Sequence, residues 1–314
     1  MKKVSLRTSV VISTYNGERF IIEQLESIRK QTVLVDEVII SDDGSNDNTV
    51  GVINEYLRTY GLNENWSISV NRKNKGWIQN FHDLLYMAHN DIVFLCDQDD
   101  IWFSDKVEKM LNVMEHNKAI KCLAASFEPY FMDGEKINLP NFYKIQMLND
   151  GILQKIQLTP KTVHLMAEGC TMCVRKEFLL EVQKYWFSGW AHDEFLWKTA
   201  LCKDGMYKLN IATLHRRLHS NNVSRQGMRS AEKRIRHLTV EYESFKVMSD
   251  ILQGTTKNDK NSKLLEDLLR MSKLRIELIK NKAYINLLPL AAKYITLYQN
   301  KKSYFAELLI AVKS

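Results

Sequence analysis

A long hydrophobic run is absent from this chain of 314 residues. No window offers about 18 uninterrupted apolar residues, so we predict no transmembrane helix. The first residues, MKKVSLRTSVVIS, have a basic start but neither a long apolar core nor a cleavage site, and we therefore expect no secretory signal peptide. Internal repeats and low-complexity segments are absent too. With 45% hydrophobic and 26% charged residues, the composition is that of a folded globular protein.

Cysteine is scarce, and its number is odd. The five residues are irregularly spaced, which excludes a disulfide scaffold and favours the cytoplasm over a secreted setting. Cys170 and Cys173 have the spacing of a redox or zinc pair, but no second pair completes a site. The cysteines are Cys96, Cys122, Cys170, Cys173 and Cys202.

Acidic residues are scarce in the last hundred positions. Residues 1–214 hold 24 Lys and Arg against 28 Asp and Glu, whereas residues 215–314 hold 20 against 9. A basic tail indicates an anionic partner such as nucleic acid, membrane lipid or a phosphorylated substrate. The alternative is a solvated helical surface.

The first part of the chain alternates between two periodicities. Short β-branched runs predict strands, and apolar residues at helical spacing follow each run. Four such alternations of strand and helix predict βαβ units on a mostly parallel sheet with flanking helices. From about Ser230 the pattern becomes helical and basic. The predicted strands are Thr8–Ser13, Glu37–Ser41, Trp66–Val70 and Asp91–Cys96, and the predicted helical stripes begin at Ile21, Val50, Trp77 and Val107.

Polar clusters follow three of these strands, where open α/β sheets bind ligands. After the fourth strand come Asp97, Gln98, Asp99 and Asp100. Packed carboxylates repel one another, and oxygen ligands of this kind suit Mg²⁺ or Mn²⁺ together with substrate phosphates. The alternative is an acidic turn that caps the next helix.

Taken in order, the motifs resemble the family 2 inverting glycosyltransferases with the A-type nucleotide-diphospho-sugar fold. The resemblance covers roughly residues 8–220, and its last motif is similar to that of bacterial polysaccharide rhamnosyltransferases. The motifs are Ser13-Thr14-Tyr15-Asn16, Asp42-Asp43-Gly44-Ser45, Asn74-Lys75-Gly76 and Asp97-Gln98-Asp99-Asp100-Ile101-Trp102.

The resemblance implies a role for each of several residues. Thr14, Tyr15, Asp43, Lys75 and Asp97 would bind the nucleotide sugar. Asp99 and His219 would contact Mn²⁺ or Mg²⁺. Asp193 would be the general base that an inverting transfer requires, with Glu194 as the second choice.

The predicted architecture has two parts. Residues 1–229 would form the catalytic domain, with a nucleotide-binding half (1–105) and an acceptor half (106–229). Residues 230–314 would form a basic helical region. Within it, Ala283–Tyr298 is too short and too interrupted by Pro289 and Lys293 to span a bilayer. It could lie in the membrane interface, or its helices could pack on the catalytic domain or on a second copy.

The function implied is metal-dependent transfer of a sugar to a glycan or lipid-linked glycan in bacterial surface polysaccharide synthesis. The donor would be dTDP-rhamnose, with UDP-hexoses as the alternative. We expect a cytoplasmic enzyme with no nucleic-acid partner, and peripheral contact with the inner face of the membrane is one alternative. The sequence does not determine whether the protein forms an oligomer.

Two other classes compete with this interpretation. A nucleotide-binding dehydrogenase should carry a G-x-G-x-x-G turn after the first strand, but Tyr15-Asn16-Gly17-Glu18 has one glycine. A non-enzymatic module that binds nucleic acid or membrane through the basic tail would leave the acids at three strand ends unexplained.

Overall fold

The fold was analysed in a computed structural model that describes residues 6–132, 139, 143–218, 230–253 and 259–313. The chain divides into two compact units. Unit 1 comprises the described residues within 1–156, 166–200 and 205–219, and unit 2 those within 157–165, 201–204 and 220–314. The functional division predicted for the chain stays a prediction.

Unit 1 begins with alternating strands and helices. The strands β3-β2-β1-β4 are neighbours in that order, and every pair among them is parallel. All four predicted strands are confirmed, with ends that differ by one residue at most. The elements are β1 (Thr8–Thr14), α1 (Ile21–Arg29), β2 (Glu37–Asp42), α2 (Thr49–Thr59), β3 (Trp66–Val70), α3 (Trp77–Met87) and β4 (Ile92–Asp97).

The rest of unit 1 extends this sheet with mixed pairing. Strand β8 lies antiparallel between β4 and β6, β9 pairs parallel with β6, and β5 and β7 pair antiparallel with β9. The predicted α/β fold with a mostly parallel sheet is confirmed, but these antiparallel pairs were not predicted. The elements are β5 (Ile101–Trp102), α4 (Lys106–His116), β6 (Cys122–Phe131), α5 (Tyr143–Gln146), β7 (Leu153–Lys155), β8 (Met172–Arg175), α6 (Lys176–Val182), α7 (His192–Cys202) and β9 (Met206–Leu218).

Helix α1 packs its apolar stripe on the sheet as predicted, because Ile21, Leu25 and Ile28 are fully buried. Two aromatic residues at the ends of the next helices are less well buried. Tyr60 lies just past the end of α2 and is 47% exposed, with its ring tilted against that of Tyr56 and the two centroids 4.7 Å apart. Trp77 is the first residue of α3 and is 39% exposed.

Unit 2 is helical, as predicted for the C-terminal region. Two long helices, α8 (Ala231–Gln253) and α9 (Asp259–Lys280), pack together, and two shorter helices, α10 (Leu287–Ala292) and α11 (Lys302–Lys313), follow. The stretch 283–298 is therefore not one helix, and Leu290, Tyr294, Leu297 and Tyr298 within it are buried. Across the described ranges, no helix is both long and apolar enough to cross a bilayer.

A buried ion-pair network joins the helices of unit 2. Glu307 of α11 is fully buried and accepts hydrogen bonds from Arg234 of α8 and from Arg275 of α9, the latter at 2.8 Å. Arg275 also donates to Glu241 of α8 at 2.9 Å. Removing one partner from such a network leaves an uncompensated charge inside the protein.

We expect Glu307→Ala to lower the free energy of unfolding by about 3–5 kcal/mol, because Arg234 and Arg275 would lose their shared carboxylate. Denaturant unfolding of purified protein would measure this. Glu243→Ala is the control, since Glu243 makes an exposed pair with Lys246 and should change stability by about 1 kcal/mol or less. Equal effects of the two variants would contradict a stabilising role for the network.

Candidate functional site

The end of β1 is joined to the turn after β2. The hydroxyl of Thr14 donates to Asp42 Oδ2 at 2.9 Å, and Asp42 Oδ1 accepts from the backbone N–H groups of Gly44 at 3.1 Å and Ser45 at 2.8 Å. Thr14 and Asp42 are both buried. This pair shapes the turn, and the predicted contact of Thr14 with a nucleotide stays a prediction.

Asp43 organises the loop before α3. One carboxylate oxygen accepts from Asn71 Nδ2 and from the backbone N–H of Lys75, both at 2.9 Å, and the other accepts from the N–H of Gly76 at 2.8 Å. Gly76 has φ 83°, a left-handed conformation that favours glycine. The ammonium group of Lys75 lies 2.7 Å from Asp83 and remains partly exposed. Asp43 and Lys75, which are both predicted to bind the nucleotide sugar, are therefore joined by a hydrogen bond.

Tyr15 and Gln98 connect the ends of β1 and β4. The N–H of Tyr15 donates to Gln98 Oε1 at 2.9 Å, and Gln98 Nε2 donates back to the Tyr15 carbonyl at 3.1 Å. A Cβ at Gly17 would lie 2.3 Å from Gln98 Oε1, so a glycine there allows the close approach. Tyr15 itself is left 42% exposed.

The acidic turn after β4 holds several carboxylates together. Oxygens of Asp97 and Asp100 and the sulfur of Cys170 all lie within 4.8 Å of one another. Loss of hydration and repulsion from Asp100 and Asp99 raise the pKa of Asp97 well above its usual range. Burial and repulsion from Asp99 raise the pKa of Asp100 to about 6. Asp99 is not in this three-residue group, and its assignment as the metal ligand stays a prediction.

Two arginines of β9 and one lysine of α4 hold this turn. Arg217 donates its backbone N–H to Asp100 Oδ1 at 3.0 Å and its Nε to the carbonyl of Asp99 at 2.8 Å. The buried Arg216 pairs with Glu168 at 3.0 Å. The buried Lys106 donates to the carbonyl of Cys170 at 2.6 Å. Cations of the protein thus partly offset the repulsion among the acids.

Asp193 lies at the start of α7. Burial, with added repulsion from Glu168, raises the pKa of Asp193 to about 7. Glu168 raises the pKa of Asp97 as well, so the three carboxyls share one electrostatic environment. The second-choice base, Glu194, is committed to an ion pair with the buried Lys198 at 2.6 Å. A carboxyl that titrates near neutral pH is suited to general-base work, which favours Asp193.

The turn Gly169–Thr171 allows Asp193 to lie close to the acidic turn. A Cβ at Gly169 would lie 2.7 Å from His192 Nε2 and 3.3 Å from Asp193 Cβ. The ring of His192 is buried and stacks on Phe81 with centroids 4.0 Å apart. Burial lowers the pKa of His192 to about 3, so this imidazole is neutral.

The structure thus joins Tyr15 to the acidic turn through Gln98, and the charge of Glu168 acts on both Asp97 and Asp193. His219, predicted to contact metal, lies outside the described residues. Sequence reasoning missed Lys106 as a part of the site. The resemblance places Glu168-Gly169-Cys170 beneath the acceptor site but gives Glu168 and Cys170 no role in the chemistry. Arg216 and Arg217 are adjacent in the sequence, and both are paired with acidic residues in the structure.

Comparison with known proteins identifies the family. The family model described as "Glycosyl transferase family 2" matches residues 9–181. The chain belongs to this family. It is therefore a glycosyltransferase, which excludes the dehydrogenase and the non-enzymatic module. A curated relative, "dTDP-rhamnosyl transferase RfbG" from Shigella flexneri, is 31% identical over 222 residues, which is 67% of this chain and 72% of the relative.

Solved glycosyltransferase structures share the fold. TarS 1–349 of S. aureus in complex with UDP-GlcNAc is 18% identical, with a TM-score of 0.63 over 98% of this chain and 82% of that one. The mannosyltransferase PcManGT from Pyrobaculum calidifontis, in complex with GDP-Man and Mn²⁺, is 16% identical, with a TM-score of 0.57 over 98% of this chain and 86% of that one. At these identities the likeness establishes the fold.

We expect Gly169→Ala to lower turnover by at least about tenfold, because the added methyl group meets the buried His192 ring, which is stacked on Phe81, and displaces Asp193. Steady-state kinetics would measure the loss. The same substitution in a His192→Ala background should cost much less, since the nearest obstructing atom is gone. An unchanged cost in that background would show that the clash is not the cause.

Proposed function

We propose that this glycosyltransferase transfers rhamnose from dTDP-rhamnose, with inversion, to a hydroxyl group of a glycan or lipid-linked glycan. One observation carries the chemical part of the proposal. A carboxyl with a pKa of about 7, Asp193, shares the field of Glu168 with the acidic turn after β4. That combination provides a base for the acceptor and a cluster of carboxylates where the diphosphate would bind.

The choice of donor is supported by the relative named as a dTDP-rhamnosyl transferase, which covers two thirds of this chain. UDP-hexoses are the second candidate. The structural neighbour bound to UDP-GlcNAc shares the fold of this chain, and that likeness is the support for a uridine nucleotide as donor. The acceptor class is suggested by the sequence resemblance alone.

The acidic turn fits a divalent cation in part. Asp100 Oδ2 is buried with no hydrogen-bond partner among the described atoms, and burial, together with repulsion from neighbouring aspartates, raises the pKa of both Asp97 and Asp100. Those are the properties of carboxylates that a cation would satisfy. The sulfur of Cys170 suits Mg²⁺ or Mn²⁺ poorly, because these ions prefer oxygen. When bound, the cation would neutralise charge on the leaving diphosphate.

Solvent exposure favours Asp99 over Asp100 as the ligand of a cation that also binds the donor. Asp100 is 2% exposed, and its Oδ1 is already used by the backbone of Arg217. Asp97 and Asp99 are half-buried. We therefore assign Asp99 to the cation and Asp97 to the ribose or diphosphate, with Thr14, Tyr15, Asp43 and Lys75 around the nucleotide.

Asp193 would act on the acceptor. Its carboxylate accepts the proton of the acceptor hydroxyl while that oxygen forms a bond to the anomeric carbon. The bond from that carbon to the diphosphate breaks on the opposite face, and the nucleoside diphosphate leaves with the bonding electrons. The Asp193 side chain is held by the backbone N–H of Glu194, which donates to Asp193 Oδ1 at 2.7 Å. That contact fixes the carboxylate at the start of α7.

We expect dTDP-rhamnose with Mn²⁺ to raise the melting temperature of the protein by roughly 5–10 °C at about 100 times its dissociation constant. UDP-glucose, UDP-GlcNAc and GDP-mannose should give smaller shifts. Excess chelator should remove most of the effect, and so should Asp99→Asn, because the cation would lose its ligand. Differential scanning fluorimetry would record each shift.

Asp105→Asn is the matched control, since it neutralises a nearby aspartate that pairs with Lys109 outside the acidic turn. It should retain the full shift. A larger shift of the melting temperature with a UDP-sugar would assign that sugar nucleotide as the donor in place of dTDP-rhamnose. Full transfer activity of Asp99→Asn would remove Asp99 as the metal ligand.

We expect Asp193→Asn to lower turnover by about a hundredfold or more while donor affinity hardly changes, because the amide cannot accept a proton. The pKa of Asp193 is raised, so the base is protonated below about pH 7 and charged above it. Turnover of the wild type should therefore rise with pH through about 7 and then level off. The pH profile of single-turnover rates would measure this limb.

Glu194→Gln is the control, because Glu194 is paired with Lys198 and should keep the rising limb. A limb that persists in Asp193→Asn, or a loss of donor affinity equal to the loss of turnover, would assign Asp193 to the donor pocket instead.

A further inference from the structure

Unit 2 exposes its large apolar side chains in one region. Among the described residues of this unit, such side chains belong only to the turn before α10, to α10 and to α11, and α8 and α9 contribute none. Ile285 is 80% exposed, Leu288 73% and Phe305 63%. We call this set the apolar face, and its members are Tyr284, Ile285, Leu288, Phe305, Leu309 and Val312.

The members of the apolar face lie together in space. The hydroxyl of Tyr304 in α11 donates to the carbonyl of Leu287 in α10 at 3.2 Å. The hydroxyl of Tyr284 donates to the carbonyl of Ala311 in α11 at 3.2 Å. These two bonds join opposite ends of α11 to the preceding segment. Phe305, Leu309 and Val312 recur at i, i+4 and i+7, which puts them on one side of α11.

The charge around the apolar face has one sign. Residues 278–313 contain six lysines and a single acid, Glu307, which is fully buried in the ion-pair network. Lys293 pairs with Asp267 at 3.0 Å. The other five lysines are exposed and have no carboxylate partner among the described residues. They are Lys280, Lys282, Lys301, Lys302 and Lys313.

We propose that the apolar face inserts into the surface of an anionic lipid bilayer, with these five lysines on the headgroups. Exposed apolar patches of this kind mark interaction sites rather than ordinary surface. Apolar side chains below a set of lysines match the layering of an acyl and headgroup boundary. The lysine stems reach along the apolar face while their ammonium groups stay in water.

A second copy of the chain is the competing occupant, and the charges argue against it. A twofold contact brings the same patch of both copies together. The lysines around the apolar face would then meet lysines, and unit 2 offers no exposed acid in residues 278–313 to compensate. An anionic bilayer supplies the missing negative charge.

Flotation with vesicles tests the proposal without donor or acceptor, so the result is independent of the proposed reaction. The full chain should bind vesicles that contain phosphatidylglycerol at low salt and should ignore pure phosphatidylcholine. Salt should release it, because the screening length falls from about 30 Å at 0.01 M to about 3 Å at 1 M ionic strength.

Two double variants separate the contributions of the apolar and basic groups. Phe305→Ser with Leu309→Ser should reduce vesicle partitioning by at least about tenfold, because the bilayer would no longer bury these two apolar side chains. Lys301→Glu with Lys302→Glu should reduce it by roughly 25-fold or more, at about fivefold for each lysine. The matched controls are Leu34→Ser with Leu180→Ser and Lys263→Glu with Lys273→Glu, all exposed residues outside the apolar face, and they should bind as the wild type does.

A fluorescent probe gives a direct readout in the folded protein. Phe305→Trp should gain blue-shifted emission, quenched by brominated lipid, on anionic vesicles, whereas Leu34→Trp should gain none. Wild-type protein that ignores anionic vesicles would overturn the proposal, as would full binding by the Phe305→Ser and Leu309→Ser variant. Loss of a dimer in that variant, with no vesicle binding by the wild type, would assign the apolar face to a second copy.

Discussion

Mutual repulsion among carboxylates is the constraint on which the site depends. Asp97, Asp99 and Asp100 follow one strand, and the fold adds Glu168 from a distant part of the chain. Such a cluster persists only because other parts of unit 1 oppose it. The backbone and side chain of Arg217 bind the turn, Arg216 pairs with Glu168, and Lys106 holds the carbonyl of Cys170 from below. The protein thus maintains a region of negative charge that is only partly compensated, and a nucleotide-bound cation would complete the balance.

In the parallel half of the sheet, β1, β2 and β4 were predictable because they are buried on both faces and read as short apolar runs. Thr8–Ser13 and Glu37–Ser41 are of this kind, and the structure extends each by one residue. The second half was not predictable in the same way. Strand β8 has four residues and is antiparallel to both of its neighbours, and β6 is bulged against β9. Pairing of this kind depends on contacts distant in sequence, so local periodicity carries little trace of it.

The residues of the site likewise include some that the sequence predicts and some that it does not. Residues that follow a parallel strand, such as Asp43 and Asp97, were found because ligand sites of α/β sheets occur at that edge. The sequence pattern did not predict a role for Lys106, because a lysine in the first turn of a helix is ordinarily solvated. Here it is fully buried above the ring of Trp102, 4.1 Å from the ring centroid. Only the folded chain shows that this lysine donates to the carbonyl of Cys170, whose sulfur lies with the carboxylates of Asp97 and Asp100.

Glu307 has a consequence for how unit 2 can change over time. Its carboxylate is shared by guanidinium groups of α8 and α9, so α11 is tied into the bundle by charge as well as by packing. The inner side of α11 is therefore constrained in sequence by charge, and a descendant that lost α11 would need to replace Arg234 and Arg275 together. Substitutions in these three helices should be correlated across related chains, and the outward-facing positions of α11 should drift with the surface that each protein contacts.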